Sequence, residues 1–406
     1  MKRVQSLLTA TMLAGLFMAG PAMAQQAPEK PFKPNAETAK TAPAEIRPSA
    51  PGYKPTAEDE KGLWQMVDDY ERDLKQSKFV IDDPALNTYV KGLLCKTVGD
   101  ARCANVRLYL VRTPHFNASM APNGMMQVWT GLLFRTRNEA ELAAVLAHEF
   151  THFDNWHSLR AMRDMRKKTD AMAWLSFVPF GYYAQLGVMG SIFGFSREME
   201  READHGSLGL LSNAGYTPAS ASKIWEQLRN EMDATAKERK HRSRKNDNGG
   251  FFATHPNSKE RMDVLAAEAA KIARPEDQTG EAEYREALKD WWPRLIDDQV
   301  KRNDFGGTEY LLGQLAAGRG WTSELLYGRG EIYRARGKGD DFLKAAGFYQ
   351  QAIDTGAAFP ESWRGLGLAL MRAGQTEAGK AALNEYLKRK PDASDRAMIA
   401  AMAGGA

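Results

Sequence analysis

His148 and His152 stand four residues apart in AVLAHEFTHFDNWH, residues 144–157, and that spacing dictates the local backbone. Two imidazoles can hold one ion only if they share a face, which residues four apart do on an α-helix. The flanking sequence agrees. Asn138 reads as a helix N-cap, with Glu141 three residues on as its capping-box partner. EAELAAVLAHEF then contains neither Gly nor Pro, as a helix interior requires. Glu149 falls about 100° round from His148, within reach of a water beside an ion rather than the ion itself. A five-residue pattern decides nothing alone, so the rest of the chain must supply the missing parts.

Catalytic zinc sites usually have three protein ligands plus a water. FSREMEREADHGSLGLL, residues 195–211, is a second helical segment that supplies one. Glu200 and Asp204 sit one turn apart there. Glu200 completes the coordination, and Asp204 accepts a hydrogen bond from a ligand histidine and fixes its tautomer. Ala203, Gly206 and Gly209 let this helix approach its neighbour closely. Taken by itself, the segment also reads as an acidic, solvated helix face.

HEFTH (148–152) followed by EREAD (200–204), with NASMAPNG (117–124) upstream, resembles the metallopeptidase family of the CAAX prenyl protease and HtpX. The resemblance covers roughly residues 58 to 270. It implies a gluzincin-type domain with one Zn2+ on two His and one Glu and with a Glu as general base. On this sequence these roles fall on His148, His152, Glu200 and Glu149. The family's T-H-P segment matches Thr254-His255-Pro256, followed by Arg261, and the resemblance sets His255 and Arg261 beside the metal. Either is a candidate to stabilise a tetrahedral oxyanion. His255 in a fourth ligand position would hold the enzyme idle. Asn117 and Ala118, with the adjacent strand, are placed to pair with an extended substrate backbone. His115, His157, His205 and His241 carry no assigned role, and on a continuous helix His157 points off the ligand face.

The remaining chain sorts by composition. Lys2 and Arg3, the apolar run Leu7 to Ala19 and then Ala22-Met23-Ala24 read as a secretory signal over residues 1–24. Residues 25–57 are rich in Pro and Ala with few large apolar residues, which is the texture of a flexible tether. Export to the periplasm follows as the expected location, and it suits a disulfide between Cys95 and Cys103, the only two cysteines. A net charge of +4 over 406 residues argues against a nucleic-acid binder, which needs a concentrated basic face.

The expected fold is mainly α with a small β-sheet, a metallopeptidase domain over 58–275, followed by helical hairpins over 290–394. A first helix from Glu58 carries Leu63, Trp64, Val67 and Leu74 on one side. VRLYLV (106–111) and MQVWTG (126–131) read as strands, with Asn123-Gly124 as a tight turn. Residues 171–196 carry no charge and read as a helical hairpin over the site, with a membrane-dipping loop as the alternative. The basic stretch 237–250 reads as a solvated loop, with peripheral contact to an anionic membrane as its alternative. Trp363, Leu366, Gly367, Leu370, Gly374, Leu383 and Tyr386 resemble a tetratricopeptide repeat, with Leu326, Gly330, Tyr333 and Gly337 one repeat earlier and a degenerate pair over 291–315. Such repeats bind protein segments. With these features, the resemblance implies a zinc-dependent endopeptidase for misfolded or misassembled envelope proteins, with protein or peptide substrates and outer-membrane assembly machinery as partners. The alternative is a chaperone or assembly factor that uses the same surfaces only for binding.

Overall fold

The computed structural model describes residues 47–168, 195–246, 255 and 259–404. The expected leader, most of the tether, nearly all of the uncharged run 171–196 and the Gly-Gly end of the basic stretch lie outside the described residues.

From Arg47 the chain already lies on the fold, ten residues before the expected end of the tether. Arg47 Nη1 donates to Asp154 Oδ2 at 3.0 Å, Ser49 Oγ bonds the same carboxylate, and Asn105 Nδ2 donates to the Ala50 carbonyl at 2.5 Å. Polar anchoring thus replaces the apolar burial that the composition lacks. Helix α1 (Glu58–Lys75) follows, then α2 (Pro84–Val98), capped by the Asp83 carboxylate, and the short α3 (Asp100–Cys103). Leu63, Val67 and Leu74 of α1 are buried, while Trp64 is half-buried.

Three strands come next, β1 (Arg107–Val111), β2 (Ala118–Met120) and β3 (Met125–Trp129), in the order β1-β3-β2. β3 pairs parallel to β1, with Arg107 opposite Met125, and antiparallel to β2, with Ala118 opposite Val128. Met126 and Val128 face the main core, whereas Met125 packs with Val67, Leu74 and Val111 on the α1 side. Burial on both faces explains why MMQVW does not alternate. The β2–β3 turn closes through Gly124, whose φ of +88° is accessible to Gly at little cost. The expected strand over 126–131 stops at Trp129, and Thr130 and Gly131 open α4 (Thr130–Arg135) instead.

Helix α5 (Glu139–Asp154) runs through the middle of the molecule and is buried along its whole length. Its start follows the expected cap, since Asn138 Oδ1 accepts from Glu141 N at 2.9 Å. The reciprocal bond reaches one residue further back, from Arg137 N to Glu141 Oε2 at 2.8 Å. Around α5 lie α6 (His157–Lys168), α7 (Arg197–Asn213), α8 (Ser220–Glu238) and α9 (Lys259–Ile272), then α10 (Glu281–Leu288). The C-terminal part is helical throughout, with α11 (Trp292–Val300), α12 (Phe305–Arg319), α13 (Ser323–Arg336), α14 (Asp341–Asp354), α15 (Pro360–Arg372), α16 (Thr376–Arg389) and α17 (Arg396–Met402). One apolar cluster runs from Leu86 of α2 through α5 to Leu295, Leu312 and Tyr349, so these hairpins share the core of the preceding helices. Among the described residues, no helix is long and apolar enough to cross a membrane.

Candidate metal centre

The site forms where α5 and α7 touch. They meet at Gly206, where a Cβ would sit 2.5 Å from Thr151 Cγ2, so a larger residue would press into the Thr151 side chain. Ala203 is also fully buried. Gly209 has no neighbour within 4 Å of a notional Cβ, so the expected role of that glycine in close packing is not realised. With the helices this near, α5 brings His148, Glu149 and His152 to one end of a buried chamber, and α7 brings Glu200 and Asp204. His255, between α8 and α9, enters the same chamber, and Arg261 comes from the first turn of α9.

The donor atoms converge. His148 Nε2 lies 3.1 Å from His152 Nε2 and 3.6 Å from Glu200 Oε2, and His152 Nε2 lies 3.7 Å from Glu200 Oε1. His255 Nδ1 is 3.0 Å from Glu200 Oε1 and 3.4 Å from His148 Nε2. One donor atom from each of His148, His152, Glu200 and His255 falls within 4.8 Å of all the others, and all four residues are buried. Three imidazoles and a carboxylate, buried and gathered at one point, are the donor set that suits a divalent transition metal. Glu149 lies beside this set without joining it. Its Oε1 is 3.6 Å from His255 Nε2 and, among the described residues, has no hydrogen-bond partner although it is buried. Such an atom fits a carboxylate waiting for a water or substrate proton.

Further groups hold the donors in place. Asp204 Oδ1 is 3.2 Å from His148 Nδ1. Arg261 contacts the carboxylates from behind: its Nη1 is 2.6 Å from Glu200 Oε2, its Nη2 donates to Asp204 Oδ1 at 2.9 Å, and its Nε also reaches Asp204. The expected oxyanion role for Arg261 is therefore not what the geometry favours, because the fork geometry of guanidinium has locked onto two carboxylates. Its plane also lies 5.8 Å from the Trp225 ring, which in turn meets the His148 ring at 6.0 Å. Phe195 stacks on His152 with ring centroids 3.9 Å apart.

These contacts set the electrostatics of the cluster. Burial alone would lower the His148 imidazole, but hydrogen bonds to Asp204 and Glu200 lift it to about 9. Burial, reinforced by the neighbouring His148, pushes His152 well below its ordinary range. Burial pushes Glu149 up, toward the range useful to a general base. Burial also works against the Glu200 carboxylate, yet His255 and Arg261 outweigh it and keep Glu200 well below the usual range.

Residues 81–269 match the family model described as Peptidase family M48. The matched segment is thus similar to M48 peptidase domains. Over 180 residues the chain is 31% identical to the mitochondrial metalloendopeptidase OMA1 of Schizosaccharomyces pombe, covering 43% of this chain and 50% of that protein. It is 28% identical over 185 residues to the putative beta-barrel assembly-enhancing protease of Vibrio cholerae, covering 42% and 38%. It is 27% identical over 180 residues to the beta-barrel assembly-enhancing protease of Escherichia coli, covering 40% and 37%. The chain spans half or less of the length of these curated relatives. M48 metalloproteases depend on a metal, and the donor cluster described above lies within the matched segment.

Other expected positions fall as follows. Ala118 opens the edge strand β2, and the Asn117 carbonyl accepts from Trp129 N at 3.1 Å. Cys95 and Cys103 form a disulfide with Cα atoms 5.1 Å apart. His205 is exposed near Glu268, and His241 is exposed. His157 departs from expectation. A continuous helix would carry it off the ligand face, but α5 ends at Asp154 and Trp156 takes a φ of +60° before α6 starts. That break turns His157 back, so that its Nδ1 lies 2.8 Å from His152 Nδ1. The only sequence signal was a third His five residues past the motif, with Asn155 as a helix stop between them.

Proposed function

We propose that this chain is a zinc-dependent endopeptidase with His148, His152 and Glu200 as the metal ligands and Glu149 as the general base. The convergence of those three donors from two helices, with Glu149 beside them, whose Oε1 has no hydrogen-bond partner among the described residues, is the observation that carries the reading. A bound zinc ion supplies Lewis acidity, which acidifies a water and polarises the scissile carbonyl. The chain's own residues do the rest. Glu149 accepts the proton of the attacking water and returns it to the leaving amine. Asp204 and Arg261 keep His148 and Glu200 aimed. The edge of β2 at Asn117 and Ala118 receives an extended substrate backbone, and the His255 imidazole lies where it can meet the developing oxyanion. His255 also stands within the donor cluster, where it would compete with water for a bound ion.

The names of the bacterial relatives, together with the leader-like first residues and the disulfide, support a periplasmic location and envelope proteins in faulty assembly as substrates. The C-terminal hairpins, read as tetratricopeptide-like repeats, provide the partner surface. Glu149→Gln decides the assignment of the base. It keeps the volume and the buried setting, so the variant should fold and retain stoichiometric zinc while cleavage of an unfolded protein substrate falls by at least 10²-fold. Cleavage at the wild-type rate would remove Glu149 from the mechanism.

A further inference from the structure

The second ligand imidazole is held differently from the first. His148 Nδ1 faces a carboxylate, Asp204. His152 Nδ1 faces another imidazole, His157, at 2.8 Å, and His157 Nε2 lies 2.9 Å from Glu202 Oε2. Glu202 is in turn held by Arg160, whose Nη1 and Nη2 donate to its two oxygens at 2.8 and 3.1 Å. His157 has no exposed surface at all.

Proton bookkeeping leaves one arrangement. His152 presents Nε2 to the donor cluster, so binding an ion there requires its hydrogen on Nδ1. His157 Nδ1 must then accept that hydrogen bond. The remaining hydrogen of a neutral His157 sits on Nε2, where it is donated to the Glu202 carboxylate. Reversing His157 would set a lone pair against that carboxylate and drive the hydrogen of His152 onto the nitrogen that faces the ion. Arg160 keeps Glu202 an acceptor.

The backbone is bent to achieve this. Trp156, a bulky residue at φ +60°, occupies a left-handed conformation that strains a non-glycine residue. The surroundings hold it there. Tyr53 meets its ring edge-on at 5.1 Å, and Trp156 packs with Leu63, Leu159 and Met162. A helix that simply continued past Asp154 would avoid the strain and lose the His152–His157 contact.

We propose that His157 is the positioning residue for the metal ligand His152, the middle member of a His152–His157–Glu202 relay that fixes the His152 tautomer. This rests on the zinc site proposed above. The test uses the full chain and two replacements. His157→Phe keeps a ring but removes the acceptor, and His157→Asn places an amide oxygen where Nδ1 stood. Zinc affinity is read by competition with a chromophoric chelator, and ligand geometry by the visible spectrum of the Co2+-loaded protein. His157→Phe should bind zinc about 10–100-fold more weakly with altered Co2+ bands, and His157→Asn should recover most of both. Wild-type affinity and spectrum in His157→Phe would overturn the relay while leaving the zinc site standing. Failure of the wild-type chain itself to bind zinc would overturn the site reading, and the relay with it. Should His157→Phe not fold, nitrogen-15 NMR of the zinc-loaded wild-type protein gives the answer directly. The relay requires His152 protonated at Nδ1 and His157 at Nε2, and a His157 protonated at Nδ1 contradicts it.

Discussion

Glu71 shows how single residues carry the frame on which the site is mounted. It is buried on α1 and accepts from Arg107 Nε and Nη2 at 2.7 and 2.6 Å, from the Tyr109 hydroxyl at 2.7 Å and from Asn123 Nδ2 at 2.9 Å. Burial pushes its carboxyl up, but Arg107 and Tyr109 outweigh that and hold it down at about 2, against an ordinary 4.5. A depressed carboxyl stabilises the fold above its unfolded value, and the stabilisation fades as pH falls toward the folded one. Glu71→Gln should therefore lose up to about 3 kcal/mol at neutral pH. In urea denaturation the gap between variant and wild type should close between pH 4.5 and 2. A gap that stays constant with pH would place the effect in packing rather than charge. At this scale the pairs His148 with His152 and Glu200 with Asp204 were legible, because helical periodicity puts each pair on one face. His157 and the clamp made by Arg261 were not. One depends on a left-handed Trp156 that no local pattern announces, and the other on which way α9 enters the chamber.

Among elements, the contact of α5 with α7 matters most, since it closes the distance between the imidazoles and Glu200. Gly206 sets that distance. Alanine in its place gains about 1 kcal/mol of helix propensity but drives a methyl group into Thr151, where overpacking costs about 1–3 kcal/mol. Gly206→Ala should therefore lower stability and weaken zinc binding by spreading Glu200 from the histidines. Adding Thr151→Ala should restore part of both, a coupling that a double-mutant cycle measures. Additive losses would mean that the helices are spaced elsewhere. The helix start at Asn138 follows from local chemistry and was open to reading. The parallel pairing of β1 with β3 was not, because register between separated strands is set by what each face buries. The end of β3 at Trp129 was also hidden, since Thr130 and Gly131 suit a strand end and a helix start equally.

Across the whole molecule, the C-terminal hairpins complete the peptidase core. Arg135 on α4 reaches Glu231 on α8 through Nε and Nη2 at 2.8 and 2.6 Å, and Gln299 on α11 at 3.2 Å, all of them buried. Phe134 meets Trp292 ring to ring at 6.0 Å. The hairpins were visible in the sequence as a change of texture, but their docking was not, because it rests on contacts between residues more than a hundred positions apart. The chamber depends on this assembled frame, which brings α5, α7, His255 and Arg261 to one point. X-ray absorption at the zinc edge, taken on protein purified without chelators, tests that convergence most directly. The account predicts one zinc per chain with nitrogen and oxygen ligands only, at about 2.0–2.2 Å, two or more of them imidazoles, and loss of the signal in Glu200→Ala. Protein that holds no stoichiometric zinc, or a zinc environment unchanged by Glu200→Ala, would contradict it.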